Sequence, residues 1–263
     1  MLQNQQDSRR FMGTRTLYGD DFYGFNKAHV FIIGIGGVGS WAAEALARTG
    51  IGMMTLVDLD VLAESNVNRQ LPALTETLGD GKADVMAQRI LSINPDATVN
   101  IVDDFLTVNN VSDILPDKQT VDLLKQQGIT PIVLDCTDDM GAKLAIALHC
   151  RFNKIGLVIS GGAGGKLDPL QIKVDDLKYV SQDPLLARLR SKLREKGINK
   201  ALKEKFGLKC VYSTEQLKMA TACESGLNCG GYGSAVVVTS TVGMVMASEC
   251  LSLIAKSTKS IER

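Results

Sequence analysis

A glycine-rich loop, set between a short apolar run and an Ala-rich helical pattern, constrains this chain more than any other feature. Residues 30–33 (VFII) are continuously apolar, as a strand buried on both faces requires. Gly34, Gly36, Gly37 and Gly39 follow at once, and then the helical pattern of residues 41–48. Glycines at this spacing let the backbone turn tightly and approach phosphate oxygens, while the helix N-terminus behind them favours negative charge. A second apolar run, residues 53–57, ends at Asp58, the distance at which an acidic side chain reaches a ribose hydroxyl. Together these features predict a nucleotide site at the carboxyl end of a parallel sheet, without saying which nucleotide.

The residues that follow narrow the chemistry. After DLD (58–60) comes SNVNRQ (65–70), with Asn66 and Arg69; Lys82 opens an amphipathic pattern; and LDCTDD (134–139) follows the apolar run PIVL. Triphosphate chemistry needs such a set: Arg69 and Lys82 to neutralise phosphate oxygens, and a strand-end carboxylate, Asp138, to hold magnesium. A nicotinamide redox site binds a diphosphate and moves a hydride, which leaves those three residues without a task. ATP and Mg2+ are therefore the expected cofactors. Structural alternatives stand beside these roles. The glycines could serve packing alone, Asp58 could cap its strand, and Asp138 could cap the helix expected to begin near Asp139 and Met140. Asp135 is expected to be structural.

These residues resemble the adenylating enzymes related to ubiquitin-activating enzyme, among them the activators of molybdopterin and thiamin sulfur-carrier proteins. The glycine loop, Asp58, Asn66, Arg69, Lys82 and Asp138 fall at the intervals of that family, and Asp139 departs from it where many relatives have Asn. The resemblance implies binding of ATP, transfer of AMP to a carboxylate and release of pyrophosphate. It also implies a homodimer in which Arg10 reaches the partner's phosphates, with Arg9 and Arg15 as rivals, and it admits a cysteine desulfurase or sulfur-acceptor protein as a partner. Cys229, in NCGGYG, lies in the region where ubiquitin-type relatives carry a catalytic cysteine, with Cys223 as second candidate; a plain loop cysteine is the competing reading.

Strands expected at residues 98–102, 132–134 and 157–159, alternating with helical patterns, predict an α/β fold. The expected architecture is a doubly wound, mostly parallel sheet with a Rossmann-like ATP-binding half (27–160) and an antiparallel C-terminal extension (161–263) opened by a strand at 170–174. With 45% hydrophobic residues in 263, one adenylating domain can enclose the whole chain. Residues 7–26 form a polar and aromatic lead-in, and residues 108–128 a longer excursion between strands. Six cysteines without a CxxC pair predict neither a disulfide framework nor a structural zinc. Residues 1–10 are polar and lack the apolar core of a secretory signal, so a cytoplasmic location is expected. Residues 232–255, charged only at Glu249, are long enough to cross a bilayer, but their Ser, Thr and Gly content predicts a buried helix instead.

Acidic and basic residues balance at 29 each, yet residues 186–209 hold nine Lys or Arg against Glu195 and Glu204. A helical surface with such a charge could be solvated, or could meet a phosphate backbone. An adenylating enzyme also needs a carboxylate substrate, and a nucleic acid bearing a carboxylate-modified base satisfies both requirements. Here the likeness narrows. RRFMGTRTLYG (9–19), GGAGGKLDP (161–169), QDPLLARLRSKLR (182–194), CVYSTE (210–215) and LNCGGYGS (227–234) are similar to the bacterial tRNA threonylcarbamoyladenosine dehydratase family. That resemblance implies ATP-dependent cyclisation of threonylcarbamoyladenosine beside the anticodon, with modified tRNA as partner. The alternative is activation of a sulfur-carrier or ubiquitin-like protein, which needs a groove for a C-terminal Gly-Gly tail.

Overall fold

The computed structural model of the chain describes residues 9–199, 204–218 and 233–261. A 3-10 turn at Arg9–Phe11 leads into helices α1 (Met12–Tyr18) and α2 (Asp21–Lys27). Then come β1 (His29–Ile33), α3 (Gly39–Thr49), β2 (Met53–Val57), α4 (Lys82–Ile93) and β3 (Thr98–Val102). The excursion carries α5 (Val111–Ile114) and α6 (Lys118–Gln126) and returns through β4 (Pro131–Asp135), α7 (Met140–Asn153) and β5 (Gly156–Ser160). The last part consists of β6 (Ile172–Asp176), α8 (Pro184–Glu195), β7 (Lys209–Ser213) and α9 (Val236–Ile261).

The seven strands of the described residues share one sheet in the order β3-β2-β1-β4-β5-β7-β6. Pairing is parallel from β3 to β7, and only β6 runs antiparallel, against β7 at the edge. The fold is thus the expected doubly wound, mostly parallel α/β sheet with an antiparallel C-terminal edge. The run VFII is apolar throughout because successive side chains enter different cores: Val30 and Ile32 join α3, α4 and α9 on one face, Phe31 and Ile33 join α7 and α8 on the other.

Helix α9 covers the first face. Its buried residues Val238, Val242, Met246, Cys250 and Ile254 recur every four positions, so one stripe faces inward. A Cβ on Gly243 would lie 2.5 Å from the carbonyl oxygen of Val38 and 2.8 Å from Trp41 Cβ, so α9 presses directly on the start of α3. This helix is apolar enough over 22 residues to cross a membrane, but half of its most apolar window is buried inside the protein. The C-terminal end of α3 is set by Gly50, whose φ of 89° supplies a left-handed cap.

Two expected elements differ. The strand expected at 170–174 starts at Ile172, because Pro169–Gln171 form a 3-10 turn in which the Asp168 side chain accepts from the Leu170 N–H. The charged stretch 186–209 is not one helical zone. Asp183 caps α8, the helix stops at Glu195 ahead of Gly197 with its φ of 88°, and Lys209 already belongs to β7. The strand β7 was not anticipated: its five residues follow a lysine-rich run and show no alternation of their own.

Candidate nucleotide site

The crossover helices reverse side between β1 and β4, since α3 packs in one core and α7 in the other. Such a reversal opens a crevice outside the carboxyl ends of the two strands. The glycine loop fills the β1 side of it. Gly34 has a φ of +89°, and a Cβ there would come 3.2 Å from the Cys136 carbonyl group, so the loops after β1 and β4 touch. A Cβ on Gly39 would stand 1.8 Å from the Gly34 carbonyl oxygen. Only glycine lets the loop close on itself as α3 begins.

Asp58, at the end of β2, clamps that loop. Its Oδ2 accepts from the Ile35 N–H at 2.6 Å and its Oδ1 from the Asp60 N–H at 2.9 Å. Burial pushes its carboxyl above the ordinary range, opposed by these N–H groups and by the charge of Lys82. Lys82 opens α4 with its stem buried and its ammonium 2.6 Å from Asp60 Oδ2. The pairing of Lys82 with Asp60 was not anticipated, although DLD places both acids two residues apart.

The segment 65–71 docks across the loop. Asn66 is buried; its side-chain oxygen accepts from the Ala63 N–H, and its carbonyl accepts from Arg69 and Gln70. Trp41 Nε1 donates to the Arg69 carbonyl at 3.0 Å, and Ser40 Oγ bonds both Gly36 O and the Leu71 N–H. The Arg69 stem therefore lies on Gly37, where a Cβ would meet its Cγ at 3.2 Å. Its guanidinium donates to Ser65 O and Asn68 Oδ1, at 2.8 and 2.9 Å. Gly36 faces the Gln70 amide, whose Oε1 is buried without a hydrogen-bond partner among the described residues.

Across the crevice, Asp138 is exposed in the loop after β4. It does not cap α7; Asp139 does, accepting from the Ala142 N–H at 2.7 Å, three residues on. That leaves the Asp138 carboxylate without a hydrogen bond among the described residues. Asp135 is wholly buried and structural, paired at 2.9 Å with an equally buried Lys143 that also donates to Ser160 O. Lys143 was missed, yet its position repeats the inward face of Ile146, Ala147 and Cys150 on α7, so a charge at a core position was visible.

Arg10 lies outside this crevice in its own chain. Its guanidinium donates to Ile93 O at 2.7 Å, at the far end of α4 from Lys82, a helix about 18 Å long. Cys229 and Cys223 lie outside the described residues. Cys136, half-buried beside the glycine loop, is the cysteine nearest the crevice among the described residues, and burial pushes its thiol well above the ordinary range. In the basic stretch, Arg190 is an internal tie, donating to the Leu177 and Val180 carbonyls at 2.9 Å each. Arg194 lies 5.7 Å over the Phe206 ring, and Lys209 pairs with Glu249.

A glycine loop, a buried acid and two cations gathered over a topological switch point define a nucleotide-binding α/β protein. Comparison with known proteins gives the class more closely. The ThiF family matches residues 12–262, and the chain belongs to that family. The tRNA threonylcarbamoyladenosine dehydratase of Escherichia coli K12 is 44% identical over 258 residues, 92% of each chain. The crystal structure of the E. coli dehydratase in complex with ATP superposes with a TM-score of 0.83 at 43% identity, covering 97% of this chain and 96% of that one. The molybdopterin-synthase adenylyltransferase of Salmonella typhimurium is 31% identical over 163 residues, covering 61% of this chain and 60% of the relative.

Proposed function

We propose that the chain is an ATP-dependent tRNA threonylcarbamoyladenosine dehydratase, acting as one adenylating domain. The observation that carries this reading is the placement of Asp58 and Arg69 on the glycine loop, with Lys82 bonded to Asp60 beside them, in a chain alike over 92% of its length to a named dehydratase. The threonyl carboxylate is a poor electrophile. Its attack on the α-phosphate of ATP expels pyrophosphate and gives an acyl adenylate, while Arg69 and Lys82 offset the charge of the phosphates. Attack from within the same side chain then closes the ring and expels AMP, which carries away the carboxylate oxygen. The water formally lost from the tRNA thus appears as ATP split to AMP and pyrophosphate. A protein nucleophile such as Cys229 is not required by this sequence of bonds.

Asp58 would take the ribose and Asn66 would hold the turn that presents Arg69. Among the described residues no group of three or more His, Cys, Asp or Glu could cage a metal ion. A free strand-end carboxylate fits magnesium that arrives with its nucleotide, since that ion is usually bound by one or two carboxylates plus phosphates. Asp138 would hold it, and bound magnesium would screen the phosphate charge. Titrating magnesium against rate should give a higher midpoint for Asp138→Asn than for wild type; an unchanged midpoint would remove Asp138 from the metal site.

The enzyme is proposed to be a cytoplasmic homodimer in which Arg10 completes the partner's site, consistent with its distance from Lys82 in the same chain. Mixing Arg10→Ala and Lys82→Ala chains should restore activity, because one hybrid site regains both residues. Verified but inert heterodimers would exclude Arg10 from the partner's site. The overall reading is tested with labelled ATP and tRNA that carries or lacks threonylcarbamoyladenosine. Pyrophosphate release only with the modified tRNA is expected. Release driven by a carrier protein ending in Gly-Gly would favour the sulfur-carrier alternative, in which a cysteine desulfurase becomes a partner.

A further inference from the structure

Three segments that the nucleotide site leaves unused meet at the carboxyl ends of β5 and β7: residues 161–168, 182–183 and 213–215. Lys166 comes from the first and is 1% exposed, the equal of a core leucine. Its ammonium donates to the carbonyls of Gln182, at 3.2 Å, and of Glu215. Asp183, 4% exposed, accepts from the Gly162 N–H and the Leu186 N–H, both at 2.9 Å. Glu215 Oε2 accepts from the N–H groups of Leu167 and Asp168, at 2.8 and 2.9 Å. Gly165 is held on both sides, donating to Gly233 O and accepting from the Lys218 N–H. The loop after β5 is thus fixed along its length by its own Lys166, which reaches out to Gln182 and Glu215, and by two carboxylates, Asp183 and Glu215, brought from elsewhere in the chain.

A surface connection does not need this. Loops commonly satisfy their backbone with water, and burying an ammonium and a carboxylate costs desolvation that only close pairing offsets. Gln182, the residue Lys166 holds, has a φ of 56°, a strained value for a side chain of its kind. Gly162 has open space where a Cβ would stand, so the fixed loop keeps a clear face.

Position along the sheet says what that face meets. Taken in sheet order, the strand ends carry Asp58 on β2 for the ribose, the glycines after β1 for the phosphates, Asp138 after β4, and then this loop after β5. Two strand spacings, about 10 Å, separate it from the glycine loop. The carboxylate attacks the α-phosphorus in line with the departing pyrophosphate, so the acyl group enters on the face opposite the phosphates that Arg69 and Lys82 neutralise. Resting on the tRNA reading above, we infer that Lys166, Asp183 and Glu215 are positioning residues, holding residues 161–168 as the wall that orients the carboxylate-bearing arm of the modified nucleoside. The wall acts on ring closure and acyl transfer, and ATP binding stays with the other half of the crevice.

The test compares Lys166→Met, Glu215→Ala and Glu215→Gln in the full-length protein, using threonylcarbamoylated tRNA for turnover and calorimetry for ATP affinity. Misplacing a reacting group by about 1 Å costs on the order of a hundredfold, so Lys166→Met and Glu215→Ala should lose about that much kcat with ATP affinity within about twofold. Glu215→Gln keeps an oxygen able to accept both N–H groups and should recover most of the rate. Glu215 is only half-buried, so its Ala variant carries the test if Lys166→Met does not fold. ATP affinity falling in step with kcat, or a Glu215→Ala enzyme near the wild-type rate, would overturn the inference while leaving the tRNA reading standing. A wild-type protein indifferent to modified tRNA would overturn both.

Discussion

Over β2 and β1, the ammonium of Lys82 ends on Asp60, a carboxylate whose side chain is 52% exposed; over β4 and β5, Lys143 meets Asp135, and both side chains are 0% exposed. Both pairs tie a helix to a strand end, yet they use charge differently. An ion pair open on one side keeps its cation near water and available to a phosphate that enters the crevice. A pair closed on all sides has no ligand to reach and can only hold the loop after β4 and the end of β5 in register, through Thr137 N–H and Ser160 O. The nucleotide half keeps its charges at an edge where they can change partner. The half that adjoins the C-terminal strands encloses them, at Lys143 and again at Lys166, and gains a fixed scaffold.

The sharpest way to break that contrast is Lys143→Met. Removing one partner of a buried pair leaves the other charge uncompensated, and about 3–5 kcal/mol of stability should be lost. Asp135 then favours its protonated form still more, since burial already raises its carboxyl above the ordinary range. Urea unfolding of the two proteins measures the effect. A loss below about 1 kcal/mol would show the pair to be no more than a surface bridge in its energetics.

The opposite outcome is expected from Lys82→Ala and Arg69→Ala. Each should cost about 3–4 kcal/mol in the barrier, a few hundredfold in turnover, because a charge preset at the transferring phosphate is removed. Stability should fall less than in Lys143→Met, because Asp60 is left in water and only the buried stem of Lys82 is lost. A variant that keeps more than half the wild-type rate would remove its residue from the triphosphate site.

The same contrast explains what could be read in the sequence. The glycine loop, Asp58 and the strand ends of β1 and β2 depend on neighbours within about thirty residues, and spacing alone locates them. The choice of cap at 138–139 turned on a three-residue offset that two adjacent acids made ambiguous. Lys166, Asp183 and Glu215 lie up to 49 positions apart, and each looks like an ordinary surface charge until the fold joins them. Composition also misled in the basic stretch, where a count of cations treats Arg190, bonded to two carbonyls, as equal to an exposed Arg188.

The smallest effect is expected from the exposed cations of the basic stretch. If the basic stretch meets tRNA, the cations that touch it must be side chains free to reach out. Among the described residues Arg188, Lys196 and Lys205 are exposed, Lys205 resting 5.8 Å over the exposed ring of Tyr179, whereas Arg190 and Lys209 are bonded within the protein and Arg194 lies over the buried ring of Phe206. Reversing Arg188, Lys196 and Lys205 to Glu should weaken tRNA binding and leave ATP binding and stability near normal. Each cation withdrawn from a phosphate should lower the slope of log affinity against log salt by roughly 0.7–0.9, so the slope should fall by about 2 to 3 if all three take part. Arg190→Glu serves as the contrast: it breaks bonds to Leu177 and Val180 and should lower stability before it alters the salt slope. Binding measured at several salt concentrations separates the two effects. Equal slopes for wild type and the triple variant would make this surface a solvated helix face, and tRNA would then have to be held elsewhere on the molecule.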